Sequence, residues 1–218
     1  MKKYFLFDLD GTVVDSGPGI IMSVRYALDF YGIHGEPDEN LRRFVGPPLD
    51  WSFREFYGFS REGSFEAVEK YREVYRTQGV FESPLYPGFD GLAKRLSEKA
   101  AVCLATSKPI YFARQILELR GIADCFTVTV GANLDGTMTD KAQVIAEVLH
   151  QLGDPDKSQV VMIGDRRHDI EGGKVNGLET IGVEYGYAEP GELAAAGADY
   201  IVPTVEELEK LCLRLCEE

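Results

Sequence analysis

Six short apolar runs constrain this chain more than any other feature: YFLF (4–7), AVCLA (101–105), TVTV (127–130), VVMI (160–163), TIGV (180–183) and YIV (200–202). Several are continuously apolar rather than alternating, the pattern of strands covered on both faces of a parallel sheet. Helical stripes lie between them. In KAQVIAEVLHQLG (141–153), Val144, Ile145, Val148, Leu149 and Leu152 fall on one face, and Gly153 suits the stop. PIYFARQILELRG (109–121) reads the same way, with Pro109 in the first turn and Gly121 after the last. From residue 86 onward, alternating strands and helices are expected to build a doubly wound, parallel-sheet, Rossmann-like α/β domain.

Residues 16–85 break the alternation. They hold no strand run, and segments 20–32, 40–46, 50–58 and 65–79 read as helices separated by Gly/Pro turns. The expected organisation is therefore an α/β domain of residues 1–15 and 86–218, with a helical domain, 16–85, inserted after the first strand.

Composition narrows the function. Of 218 residues, 44% are hydrophobic and 27% charged, which is globular composition. A chain of this size buries roughly 70% of its unfolded surface, enough for a core without disulfides. The net charge of −13, with no basic tract, argues against nucleic-acid polymers and anionic membranes as partners. No apolar run approaches the ~18 residues of a membrane span. Asp8 and Asp10 interrupt the N-terminal apolar run, so no secretory signal is expected. Cys103, Cys125, Cys212 and Cys216 form no C-x-x-C pair and read as reduced thiols of a cytoplasmic protein. No apolar stripe marks a dimer face; a monomer or weak homodimer is expected.

The chemistry lies where the strands end. YFLF runs into Asp8-Leu9-Asp10-Gly11-Thr12, AVCLA into Thr106-Ser107-Lys108-Pro109, and VVMI into Gly164-Asp165-Arg166-Arg167-His168-Asp169. The loop after TVTV ends at Asp140-Lys141, which opens a helix. Singly, each has a structural explanation: a D-G turn, a Thr or Ser helix cap, a surface lysine, a capped helix start with a first-turn acid. Jointly they place several carboxylates, an ammonium and a hydroxyl at the carboxyl edge of one sheet, where open α/β sheets bind ligands. Asp8 and Asp10 share one side by strand spacing, and Asp165 and Asp169 share a face if they lie on a helical turn. Crowded carboxylates repel unless a cation joins them, and this oxygen-rich set suits Mg²⁺ beside a phosphoryl group.

FDLDGT, the strand-terminal Thr106, the helix-opening Lys141 and GD-x-x-x-D at Asp165/Asp169 together resemble the haloacid dehalogenase superfamily. The four motifs fall in family order across essentially the whole chain. The helical insertion resembles the small cap of the phosphoglycolate-phosphatase-like and 5′-nucleotidase-like branch. The resemblance implies a phosphatase rather than a dehalogenase, because dehalogenase members lack the second aspartate. One departure is Ser107, where Asn is common in the family. The roles implied are Asp8 as nucleophile and Asp10 as general acid and base. Thr106 and Lys141 act on the phosphoryl group, which is cradled by the N–H groups of Leu9, Asp10 and Ser107. Mg²⁺ would be held by Asp8, the Asp10 carbonyl and Asp165, with Asp169 orienting that shell. The expected substrate is a small phosphate monoester, of the phosphoglycolate or nucleoside 5′-monophosphate type. Arg42, Arg43, Phe44 and Gly46 of the insertion are the candidates for choosing it, with Gly46-Pro47-Pro48 as a rigid substrate-facing turn; the alternative is that the arginines are solvated helix residues and the aromatic rings the insertion's own core. A β-phosphoglucomutase-type sugar phosphomutase and a non-catalytic regulatory domain are the alternatives.

Overall fold

Six strands pair in parallel into one sheet: β1 (Tyr4–Phe7), β2 (Ala101–Pro109), β3 (Phe126–Ala132), β4 (Val160–Gly164), β5 (Glu179–Val183) and β6 (Tyr200–Val202). Their order across the sheet is β3-β2-β1-β4-β5-β6. The computed structural model describes every residue, Met1–Glu218. The order reverses at β1, which pairs with β2 on one side and β4 on the other. That reversal opens a crevice beyond the carboxyl ends of β1 and β4.

The chain divides into two units, one of Met1–Val14 with Leu85–Glu218 and one of Asp15–Pro84. The second holds helices α1 (Gly17–Phe30), α2 (Asp38–Arg42), α3 (Leu49–Tyr57) and α4 (Arg61–Tyr75). The first adds α5 (Phe89–Ser97), α6 (Ile110–Leu119), α7 (Lys141–Gln151), α8 (Arg167–Val175), α9 (Glu192–Ala195) and α10 (Val205–Leu215) to the sheet.

Strand alternation sends Leu6, Cys103 and Met162 to one face, where Val144, Ile145, Val148 and Leu149 of α7 cover them. Phe5 and Phe7 face the other way, and the Phe7 ring meets Phe89 of α5 edge-on at 5.5 Å. Each such large apolar side chain contributes roughly 1.5–3 kcal/mol on burial. All four cysteines are free, and burial pushes the Cys103 thiol up to about 12. No helix is long and apolar enough to cross a membrane.

Three local details differ from the sequence reading. Pro109 is not in the first helical turn: it ends β2 in extended conformation, and α6 starts at Ile110. The strand continues because its register slips between Thr106 and Pro109, while the Lys108 N–H donates to the Thr106 hydroxyl at 3.2 Å. Helix α4 spans 61–75 rather than 65–79, because Ser60 caps it by accepting from the Gly63 N–H at 3.0 Å. Helix α5, not assigned from sequence, is held by the buried stripe Phe89, Leu92, Ala93 and Leu96.

Candidate active site

Asp8 follows β1 directly, and its N–H still donates to the Ile163 carbonyl of β4 at 2.9 Å, so the sheet itself fixes where this carboxylate begins. Beyond it the chain turns tightly, the Leu9 carbonyl accepting the N–H groups of Val13 at 2.9 Å and Val14 at 3.0 Å. Gly11 sits in this turn with φ +84°, and a Cβ there would lie 2.1 Å from Asp165 Oδ2. Only glycine meets both conditions.

Lys141, the first residue of α7, binds three oxygens with its buried ammonium: Asp8 Oδ1 at 2.7 Å, Asp169 Oδ1 at 2.8 Å and the Ala105 carbonyl at 3.0 Å. The contacts to Asp8 and the Ala105 carbonyl are hydrogen bonds, and the contact to Asp169 Oδ1 is an ion pair. The poor fit of a lysine to a helix N-terminus is resolved by these two aspartates, while Asp140 caps α7 by accepting from the Gln143 N–H at 3.0 Å. Asp169 sits in the first turn of α8 and also accepts the Arg166 N–H at 3.0 Å.

The four-residue spacing puts Asp165 and Asp169 on one face only if both lie on a helical turn, and Asp165 does not. It lies in the bend between β4 and α8, and the bend brings the two carboxylates together. Asp165 Oδ1 accepts from the Thr12 hydroxyl at 3.3 Å, and Oδ2 accepts from the Tyr187 N–H at 2.7 Å. The loop after β5 is anchored in turn by Tyr185, whose hydroxyl donates to the Thr12 carbonyl at 2.9 Å.

Asp10 points to a different cation. Both of its carboxylate oxygens accept from Lys108 Nζ, at 2.9 and 3.0 Å, and both residues are buried. Thr106 is not strand-terminal but buried within β2, at the last paired residue before the register slip, and the Ser107 hydroxyl donates to the Thr139 carbonyl at 2.9 Å, tying this stretch to the segment before α7. Sequence reasoning did not single out Lys108, Thr12 or Tyr187 for these contacts. Lys108 alone carried a signal, as a lysine two residues beyond Thr106.

The electrostatics are those of a site short of positive charge. Asp8, Asp165 and Asp169 are buried and each offers an oxygen within 4.8 Å of the others. Burial raises the Asp8 carboxyl to about 6, with the charges of Asp169 and Asp10 adding to the effect and Lys141 opposing it. Burial likewise lifts Asp165 well above the carboxylate range, reinforced by Asp169 and Asp8. Burial works against the Lys141 ammonium, but Asp169 and Asp8 outweigh it and hold its pKa above the usual lysine range. With Lys108 matched to Asp10, three carboxylates face the single ammonium of Lys141. This excess of buried oxygen donors fits a hard divalent cation such as Mg²⁺.

The helical-unit candidates are placed differently. Phe44 is buried in that unit's aromatic core, with ring centroids 5.0 Å from Phe53 and 5.5 Å from Phe56. Arg42 is exposed at the end of α2. The exposed Arg43 holds its guanidinium 3.9 Å from the Phe56 ring centroid. Gly46 takes φ +103° in the turn before α3.

The sequence pattern of the haloacid dehalogenase-like hydrolases matches residues 5–183. A 5′-nucleotidase from Pseudomonas aeruginosa is 41% identical over 87% of this chain and 86% of its own length. A protein named tyrosine-protein kinase PtkA, from Mycobacterium tuberculosis, is 37% identical over 84% of this chain; the match spans 62% of that relative. A crystal structure described as a predicted phosphatase from Clostridium acetobutylicum superimposes with a TM-score of 0.94 at 41% identity, covering 98% of this chain and 99% of the other.

Proposed function

This chain belongs to the haloacid dehalogenase-like hydrolases and is a phosphoric monoester hydrolase, and we propose that it works through a phosphorylated Asp8 with Mg²⁺ bound alongside. The observation that carries the reading is the Asp8 carboxylate, buried at the sheet's switch point, held by Lys141 at 2.7 Å and crowded by Asp165 and Asp169.

Asp8 attacks phosphorus, forming an Oδ–P bond as the P–O bond to the leaving alcohol breaks. Asp10 gives a proton to the departing oxygen, then takes one from the water that hydrolyses the acyl phosphate, releasing inorganic phosphate and restoring Asp8. Thr106 and Lys141 stabilise the charge on the transferred group, and the N–H groups of Leu9, Asp10 and Ser107 receive its oxygens. Mg²⁺, held by Asp8, Asp165 and the Asp10 carbonyl, would offset carboxylate repulsion and draw charge from the phosphoryl oxygens. Asp169 orients this shell through Lys141.

Nucleoside 5′-monophosphates are the ester class we favour, on the strength of the 5′-nucleotidase relative; phosphoglycolate is the other candidate. Arg42, Arg43 and the Gly46 turn are assigned to substrate choice, and Phe44 supports them from the core of their unit. The kinase-named relative favours a second reading, in which a hydroxyl rather than water accepts the phosphoryl group. The test is a panel of nucleotide, glycolate and hexose phosphates with Mg²⁺ or with chelator. The reading expects Mg²⁺-dependent release of inorganic phosphate, fastest from nucleotides. A phosphoryl group moved to a sugar or tyrosine without release favours the second reading, and no turnover of any ester overturns both.

A further inference from the structure

We infer that Lys108 is a positioning residue for Asp10, gripping both carboxylate oxygens so that Asp10 stands where the proton must be given and later taken. The inference rests on the phosphatase mechanism above and goes beyond it, since none of the four motifs includes Lys108.

The two ammonium groups of the site divide Asp8, Asp10 and Asp169 between them. Lys141 serves Asp8 and Asp169, and Lys108 holds Asp10 through contacts of 2.9 and 3.0 Å. The Lys108 and Asp10 side chains are only 5% and 11% exposed. A buried pair of this kind gives little or no net stability over an apolar pair of the same shape. Its place beside the nucleophile therefore points to catalysis rather than folding. The backbone is built to aim it. The register slip between Thr106 and Pro109 interrupts regular alternation, and such irregularities re-aim a side chain at the rim of a sheet. The Thr106 hydroxyl then takes the Lys108 N–H and fixes the segment.

A free aspartate rotates about two side-chain bonds. Asp10 must reach the leaving oxygen in one half-reaction and a water in the next, and a misplacement of about 1 Å costs on the order of 100-fold in rate. A two-oxygen clamp removes that freedom.

The experiment is a double-mutant cycle on Lys108→Met and Asp10→Asn, measuring kcat and KM separately with p-nitrophenyl phosphate and saturating Mg²⁺. Lys108→Met is expected to lower kcat about 100-fold with KM changed no more than about twofold. Adding it to Asp10→Asn is expected to slow the enzyme no further, and Lys108→Arg to recover part of the loss. Lys108→Gln takes the place of Lys108→Met, with the same expectations, if circular dichroism shows the latter unfolded. An equal further loss in the Asp10→Asn background overturns the inference, as does a rise in KM at unchanged kcat. In either case an active wild type leaves the phosphatase mechanism standing, whereas a wild type that releases no phosphate overturns both.

Discussion

The α/β unit and the helical unit bury different kinds of polar side chain. In residues 15–84 the buried polar side chains are serines: Ser16, Ser23, Ser52, Ser64 and Ser83. In the α/β unit they include Asp8, Asp10, Lys108, Lys141, Asp165 and Asp169. The helical unit keeps its charges at the surface in pairs such as Arg54–Asp50 and Lys70–Glu73, and fills its interior with aromatic rings. Surface pairs contribute about 0–1 kcal/mol each, whereas buried charges carry a desolvation penalty that packing alone does not repay. Buried charge therefore collects at the candidate site, where the proposed reaction would use it. Lys2 is the instructive exception: it is buried at the opposite, amino-terminal edge of the sheet, paired with Glu179 at 2.6 Å and donating to the Ser158 carbonyl at 2.9 Å. Burial alone does not distinguish the candidate site; burial at the carboxyl edge among like charges does.

That contrast can be broken by substitution. The largest effect is expected at the proposed nucleophile: Asp8→Asn should lower phosphate release by at least about 10⁴-fold while circular dichroism stays unchanged. Wild-type-like turnover would remove the chemical half of the comparison. Next is Lys141→Met, which strands Asp8 and Asp169 without their ammonium and should cost about 3–5 kcal/mol in urea unfolding of the metal-free protein.

A pH effect follows in size. The folded Asp8 carboxyl titrates at about 6, above its ordinary 3.8, so the folded metal-free protein holds that proton longer than the unfolded chain does. Its contribution to stability is complete below about 4 and is lost as pH rises to about 6, a change of roughly 2–3 kcal/mol. Asp8→Asn lacks this group, so in chelator it should gain on wild type by that margin between pH 4 and 7. A constant difference would show that Asp8 is not strained by its surroundings. The smallest effect belongs to the helical unit: Arg54→Ala, which removes a half-exposed pair with Asp50, should cost only about 0.3–0.5 kcal/mol. A loss as large as that of Lys141→Met would erase the distinction between the two units.

The sequence was legible where a residue's role is local. Strands buried on both faces must be apolar throughout, so VVMI and YFLF marked β4 and β1 without ambiguity, and the residues that follow such strands pointed to the candidate site. Helix α7 was equally plain from its stripe and its Gly153 stop. Roles set by long-range partners were not legible. The Lys108–Asp10 pair joins positions 98 residues apart and depends on a register slip that no spacing rule reveals. The Tyr187 N–H that orients Asp165 is a backbone group, which any residue but proline would supply at that position. The four-residue spacing of Asp165 and Asp169 suggested a helical face, but a bend reaches the same convergence by another route. The aromatic load of residues 44–59 could not be divided into core and surface by composition; the packing of Phe44 on Phe53 divides it.

Mass spectrometry of the enzyme acid-quenched during turnover of a nucleoside 5′-monophosphate with Mg²⁺ tests the central claim most directly. The account predicts one phosphoryl group on the peptide containing Asp8, absent from Asp8→Asn and from chelator-treated enzyme. Steady release of phosphate with no adduct there, undiminished in Asp8→Asn, would contradict it.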